Sequence, residues 1–167
     1  MADAIHFADG ILASRVITKA YPKIQEIYDL GSGNGFPGLV FAILNPHIKV
    51  HLVEMDQKKC EFLNHVVKLA NIDNADIMNV KIEDLKENSV QFALTRGLAS
   101  ISKVILTSRK FVAKGGVVFH LKGEQWGMEV SEIPIQLCSI WAPGLVGEYR
   151  LPIGEVKFAI IKTDKIA

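Results

Sequence analysis

Apolar positions along the chain alternate between helical and extended spacing. Residues 4–20 carry Ile5, Ala8, Leu12, Val16 and Ala20 on one helical face, which predicts a helix closed by Pro22. The apolar run Ile24 to Leu30 stops at Gly31 and predicts a first strand. Residues 36–45 are apolar nearly all round, the pattern of a buried helix, with Pro37 near its start and Asn45-Pro46 at its end. Lys49 to Glu54 predicts a second strand. Residues 56–70 set Phe62, Leu63, Val66, Val67 and Ala70 on one stripe, the face of an amphipathic helix. Ala75 to Val80 and Gln91 to Thr95 predict strands three and four, and residues 101–112 a helix on Ile101, Val104, Ile105 and Val112. Gly115-Gly116 then launches a fifth strand, Val117 to Leu121. Ile135 to Trp141 and Val156 to Thr163 predict two more, separated by a turn-rich segment with Pro143, Gly144, Gly147, Pro152 and Gly154.

Strand–helix alternation requires a mostly parallel sheet covered on both faces. The expectation is an α/β, Rossmann-like fold with a seven-stranded sheet, one strand antiparallel and helices on both faces. The length of 167 residues fits one domain spanning 1–167, with a leading helix at 4–20 and a core fold at 24–163. Composition changes little: 19 basic against 18 acidic residues give +1, too small an excess to hold nucleic acid by bulk charge, so an RNA partner would need a local patch. Two cysteines, Cys60 and Cys138, exclude a disulfide framework and a four-thiolate zinc site. With no signal-peptide core and no membrane-length apolar run, the expectation is a cytoplasmic monomer with no membrane partner.

The chemistry concentrates in Asp29-Leu30-Gly31-Ser32-Gly33-Asn34-Gly35-Phe36-Pro37-Gly38, between strand one and the next helix. Ligands of open parallel sheets bind beyond the carboxyl ends of the strands at this switch point. The dinucleotide frame G-x-G-x-x-G from Gly31 would need glycine where Phe36 stands, and no Gly-Lys-Ser/Thr phosphate loop is present. Asp-x-Gly-x-Gly-x-Gly is instead the turn of S-adenosylmethionine-dependent methyltransferases. Asp29 can meet the cofactor's amino end, and Gly31, Gly33 and Gly35 leave room for its methionine chain. Glu54, ending strand two, can accept both ribose hydroxyls. Ile82 and Glu83 stand after strand three, where the adenine would lie, although Glu83-Asp84 reads equally well as a solvated or capping pair. Arg96, ending strand four, sits on the cofactor rim or in a surface ion pair. As a rim residue, its loss is expected to reduce transfer more than folding.

The acceptor is read from absences. No Asn/Asp-Pro-Pro-aromatic motif follows strand four, both cysteines fall in core patterns, and the five histidines form no metal-ligand cluster. An aromatic ring nitrogen with a free lone pair, such as guanine N7, loses no proton on methylation and needs positioning rather than acid–base chemistry.

Asp-Leu-Gly-Ser-Gly-Asn-Gly-Phe-Pro-Gly (29–38), Leu-Val-Glu (52–54), Thr-Arg-Gly-Leu-Ala-Ser (95–100) and Leu-Lys-Gly (121–123) resemble the bacterial 16S ribosomal RNA guanine-N7 methyltransferases, the glucose-inhibited division protein B family. The resemblance runs from about His6 to the C-terminus. It implies S-adenosylmethionine as methyl donor and a guanine near the decoding region as acceptor, hence 16S rRNA or a small-subunit particle as partner. It further implies Gly31, Phe36, Ile82, Glu83 and Arg96 at the cofactor. His6, Asp9 and Lys122 would stand at the RNA-facing mouth, with Arg96 and Lys122 catalytic. Without the family, His6 and Asp9 are a helical i,i+3 pair on a solvated face and Lys122 is unremarkable. The helices that usually precede the His6 position in that family do not occur in this sequence, which should weaken RNA docking more than cofactor binding. The alternatives are a methyltransferase of the same fold with another acceptor, and a non-catalytic cofactor- or RNA-binding module.

Overall fold

The computed structural model describes residues 2–152 and 156–167. Its strands are β1 (Glu26–Leu30), β2 (Lys49–Val53), β3 (Ala75–Met78), β4 (Val90–Arg96), β5 (Val112–Lys122), β6 (Trp141–Arg150) and β7 (Lys157–Lys165), in sheet order β3-β2-β1-β4-β5-β7-β6. β1 pairs in parallel with β2 and β4, while β7 runs antiparallel to both neighbours. The chain reverses direction across the sheet between β1 and β4, and this opens the cleft in which ligands of such sheets bind.

Helices α1 (Ala2–Ala20), α2 (Gly38–Leu44) and α3 (Gln57–Leu69) cover one face. Ile17, Phe41 and Leu63 pack there on Ile27, Val50, Leu52 and Phe119. Helices α4 (Ile101–Ser108), α5 (Trp126–Ser131) and α6 (Ile135–Cys138) cover the other, around Leu30, Val53, Val104, Ile105, Val118 and Trp141. At the tail of α2, Asn45 Nδ2 donates to Ser14 Oγ of α1 at 2.8 Å and to Phe41 O at 2.8 Å, tying the first two helices together.

The expected architecture stands, and four local expectations do not. The helix expected at 101–112 ends at Ser108, because Val112 already pairs with Val90 in β5. Gly115-Gly116 therefore lies inside β5. The register jumps there from Val90↔Val112 to Phe92↔Val117, and Gly115 has φ +79°. This is a bulge, not a strand start. Ile135–Trp141 is not a strand either. Ile135–Cys138 forms the short α6, with Ile135 exposed and Leu137 buried, and the buried Trp141 opens β6. The turn-rich segment after it forms most of β6. Pro143 and two glycines are tolerated there because β6 is the outer strand and carries a bulge between Leu145 and Gly147. Gly154, also expected in that segment, lies outside the described residues.

Candidate functional site

β1 ends in the glycine turn. The N–H groups of Gly31 and Ser32 donate to Val53 O of β2 at 2.9 and 3.0 Å, which folds the turn back over the sheet edge. Gly31, Gly33 and Gly35 have φ of +72°, +55° and +93°, conformations that only glycine adopts without strain. They differ in surroundings. A Cβ at Gly33 would meet only Gly31 O at 3.9 Å, in open space, whereas one at Gly35 would lie 2.3 Å from Leu39 Cδ1. Gly33 shapes the ligand space and Gly35 the packing under it.

Glu54 stands at the end of β2 with its carboxylate across the turn. Oε2 accepts from Gly33 N–H and Oε1 from Asp56 N–H, both at 2.9 Å. Each oxygen keeps a further lone pair for a ligand hydroxyl. A cavity of about 400 Å³ opens here, lined by Gly31, Gly33, Glu54, Ile82, Glu83 and Arg96 among others. That volume lies within the roughly 300–1,000 Å³ of small-molecule sites. Six of the residues expected at the cofactor thus meet in one place.

Asp29, Gly35 and Phe36 do not line it. Asp29 is fully buried, and its Oδ2 accepts from Gly38 N–H at 3.1 Å. Burial pushes its pKa up to about 7, with the Glu54 charge adding to the rise. The Asp29 carboxylate, expected at a ligand's amino group, stands behind the cavity wall and makes a bond that pins α2 to the turn. Gly38 is glycine because a Cβ there would lie 2.4 Å from that carboxylate oxygen. Phe36 turns outward to α1, edge-on to Phe7 with ring centroids 4.8 Å apart.

Two more expectations are corrected at the rim. Asp9 does not face solvent: it is 0% exposed, Arg96 Nε reaches its Oδ2 at 2.6 Å, and the Tyr149 hydroxyl donates to Oδ1. Burial and the Asp9 charge together raise the Tyr149 pKa far above its ordinary value. Arg96 Nη2 also lies 2.8 Å from His6 Nδ1. Residues of α1, β4 and β6 thus form one chain of contacts, and Arg96 is a buried-pair partner as well as a rim residue. Lys122 is likewise held away from the cavity. Its Nζ donates to Ala99 O at 2.9 Å and to Glu129 Oε2 at 2.8 Å, and Glu129 Oε2 accepts from Ile101 N–H at 3.0 Å. The lysine therefore secures the segment entering α4.

Sequence reasoning missed Leu98, Lys59, Lys103 and Thr107 in the lining, and Tyr149 and Glu129 behind it. A helical reading of α4 puts Lys103 and Thr107 on one face and offered a signal. Tyr149 offered none, being 140 residues from Asp9 in sequence. Among the described residues no group of His, Cys, Asp and Glu side chains could hold a metal ion, and no helix is long and apolar enough to cross a membrane.

Residues 4–140 match the family model described as rRNA small subunit methyltransferase G. Ribosomal RNA small subunit methyltransferase G 3 of Bdellovibrio bacteriovorus is 59% identical over the whole of this chain, which spans 76% of that relative. The Thermobifida fusca ribosomal RNA small subunit methyltransferase G is 34% identical over 84% of this chain, with 60% of the relative covered. Among solved structures, a putative S-adenosyl-L-methionine-dependent methyltransferase of Methanococcus maripaludis superimposes with a TM-score of 0.71 at 14% identity, covering 96% of this chain and 86% of its own. An Aquifex aeolicus SAM-dependent methyltransferase gives 0.67 at 14% identity, covering 93% and 90%. At these identities the structural matches carry the fold alone.

Proposed function

Because the chain belongs to the rRNA small subunit methyltransferase G family, we propose that it transfers a methyl group from S-adenosylmethionine to N7 of a guanine in 16S ribosomal RNA. One observation carries the site assignment: the glycine-turn backbone, the Glu54 carboxylate and Arg96 converge on one cavity at the carboxyl ends of β1, β2 and β4. The residues fit the cofactor. The open space at Gly33 admits a ligand chain, the spare lone pairs of Glu54 suit a pair of ribose hydroxyls, and Ile82 offers an apolar surface for adenine beside Glu83. S-adenosylmethionine supplies an electrophilic methyl group on a sulfonium.

Arg96 lines the cavity, yet its charge is matched by Asp9, so a cationic ligand meets no uncompensated guanidinium. Asp29 and Gly38 serve indirectly, by fixing the turn. The N7 lone pair of guanine needs no base to free it, so the work left to the protein is alignment, worth up to roughly 7–11 kcal/mol in favourable cases. Lys59 and Lys103 on the cavity wall supply local positive charge for RNA in a chain of net charge +1. The same reading makes the protein a cytoplasmic monomer acting on 16S rRNA or on the small-subunit particle. The test incubates the protein with tritiated S-adenosylmethionine and 16S rRNA lacking the modification, then analyses nucleosides. Label in 7-methylguanosine is expected, and label in any other nucleoside, or none, would overturn the acceptor assignment.

A further inference from the structure

Arginine has only donors, so the 2.8 Å contact of Arg96 Nη2 with His6 Nδ1 requires that nitrogen to accept. The His6 ring hydrogen is then on Nε2. That atom has no hydrogen-bond partner among the described residues, and the side chain is partly exposed beside the cavity-lining Arg96. What fixes the arginine lies deeper: Nε on Asp9 Oδ2, and Asp9 Oδ1 held by the Tyr149 hydroxyl from β6. The contacts run from a buried tyrosine to a partly exposed imidazole and set which ring nitrogen bears the hydrogen.

Resting on the function proposed above, we infer that His6 is the hydrogen-bond donor to the 6-keto oxygen of the acceptor purine, with Tyr149 a positioning residue acting through Asp9 and Arg96. On the major-groove edge guanine offers N7 and O6, both acceptors, whereas adenine offers N7 and an amino donor. A fixed N–H beside the attacking N7 therefore favours guanine and opposes adenine. Arg96 is poorly suited to read O6 and N7 itself. Nε and Nη2 are committed to Asp9 and His6, and a guanidinium on N7 would block the atom to be methylated. An imidazole N–H also adds no formal charge beside a purine that becomes cationic.

Two measurements test this. Long-range proton–nitrogen spectra of the labelled protein report the tautomer of each histidine, with His6 assigned by its loss in His6→Gln. The inference expects the Nε2–H form at His6, with Tyr149→Phe admitting the other tautomer there and leaving the remaining histidines unchanged. An Nδ1–H ring, or a Tyr149→Phe spectrum identical at His6, would overturn the relay whatever the acceptor proves to be. The second measurement follows single-turnover transfer to RNA bearing guanine or 2-aminopurine, which keeps N7 and lacks O6, at the acceptor position. Loss of O6 should slow the wild type about tenfold or more and should not slow His6→Ala further, while His6→Gln, which retains an amide donor, keeps most of the guanine rate. Additive losses would overturn the contact with O6. A wild type that modifies neither RNA would overturn that contact and the function it rests on, and leave the relay to be judged by the spectra alone.

Discussion

Gly33 and Asp29 shape the turn in different ways, one by leaving space and the other by filling it. Gly33→Ala forces a side chain into a left-handed conformation at a cost of about 1–2 kcal/mol and puts a methyl group into the cavity. Urea unfolding should show that modest loss, and calorimetry at least a tenfold weaker S-adenosylmethionine affinity. Asp29 has a folded pKa near 7 against an ordinary 3.8. Between these values the native state binds more protons than the unfolded chain, so this residue's contribution to stability falls as pH rises from 3.8 through 7. Asp29→Asn keeps an oxygen for Gly38 N–H and cannot ionise. Relative to wild type it should therefore gain stability between pH 5 and pH 8 in urea titrations, and parallel pH profiles would contradict the assignment. Arg96→Ala strands the fully buried Asp9 and should cost about 3–5 kcal/mol in folding, the loss expected when one partner of a buried pair is removed. The sequence alone pointed the other way, to an effect on transfer more than folding. Adding Asp9→Asn to that variant should restore part of the lost stability in the same assay.

At the level of elements, the segment from β4 into α4 is held from behind by Lys122 and Glu129. Lys122→Met should cost about 1–3 kcal/mol and loosen Leu98 and Ala99, which line the cavity. Glu129→Gln in the Lys122→Met background should cost little more, the non-additivity of a shared contact. A drop in transfer with unchanged melting temperature would instead return Lys122 to the role of a catalytic group. The sequence made the strands and the glycine turn legible because alternating apolar runs and a glycine-spaced loop are local patterns. Six of the residues expected at the cofactor line one cavity for the same reason: they sit at strand ends, and the topology brings strand ends together. The β5 bulge and the β6 edge strand were not legible. Glycine and proline mark turns by default, and only the pairing partners reveal that these ones lie inside strands. The burial of Asp9 was hidden in the same way, since its partners come from β4 and β6.

On the scale of the whole molecule, α1 is joined to the far edge of the sheet through Asp9 and Tyr149 and to the cavity through His6 and Arg96. Ligand binding at the turn should therefore stabilise the chain as a unit. With S-adenosylmethionine at a hundred times its Kd, a one-site ligand adds about 2.7 kcal/mol to global stability. The most direct test of the central claim, that the cavity bounded by the glycine turn, Glu54 and Arg96 is the cofactor site, is isothermal titration of S-adenosylmethionine into the wild-type chain and into Gly33→Val. The account predicts one-to-one binding to the wild type and none to a variant whose circular dichroism still shows the native fold. Equal binding to both, or no binding to a folded wild type, would contradict it.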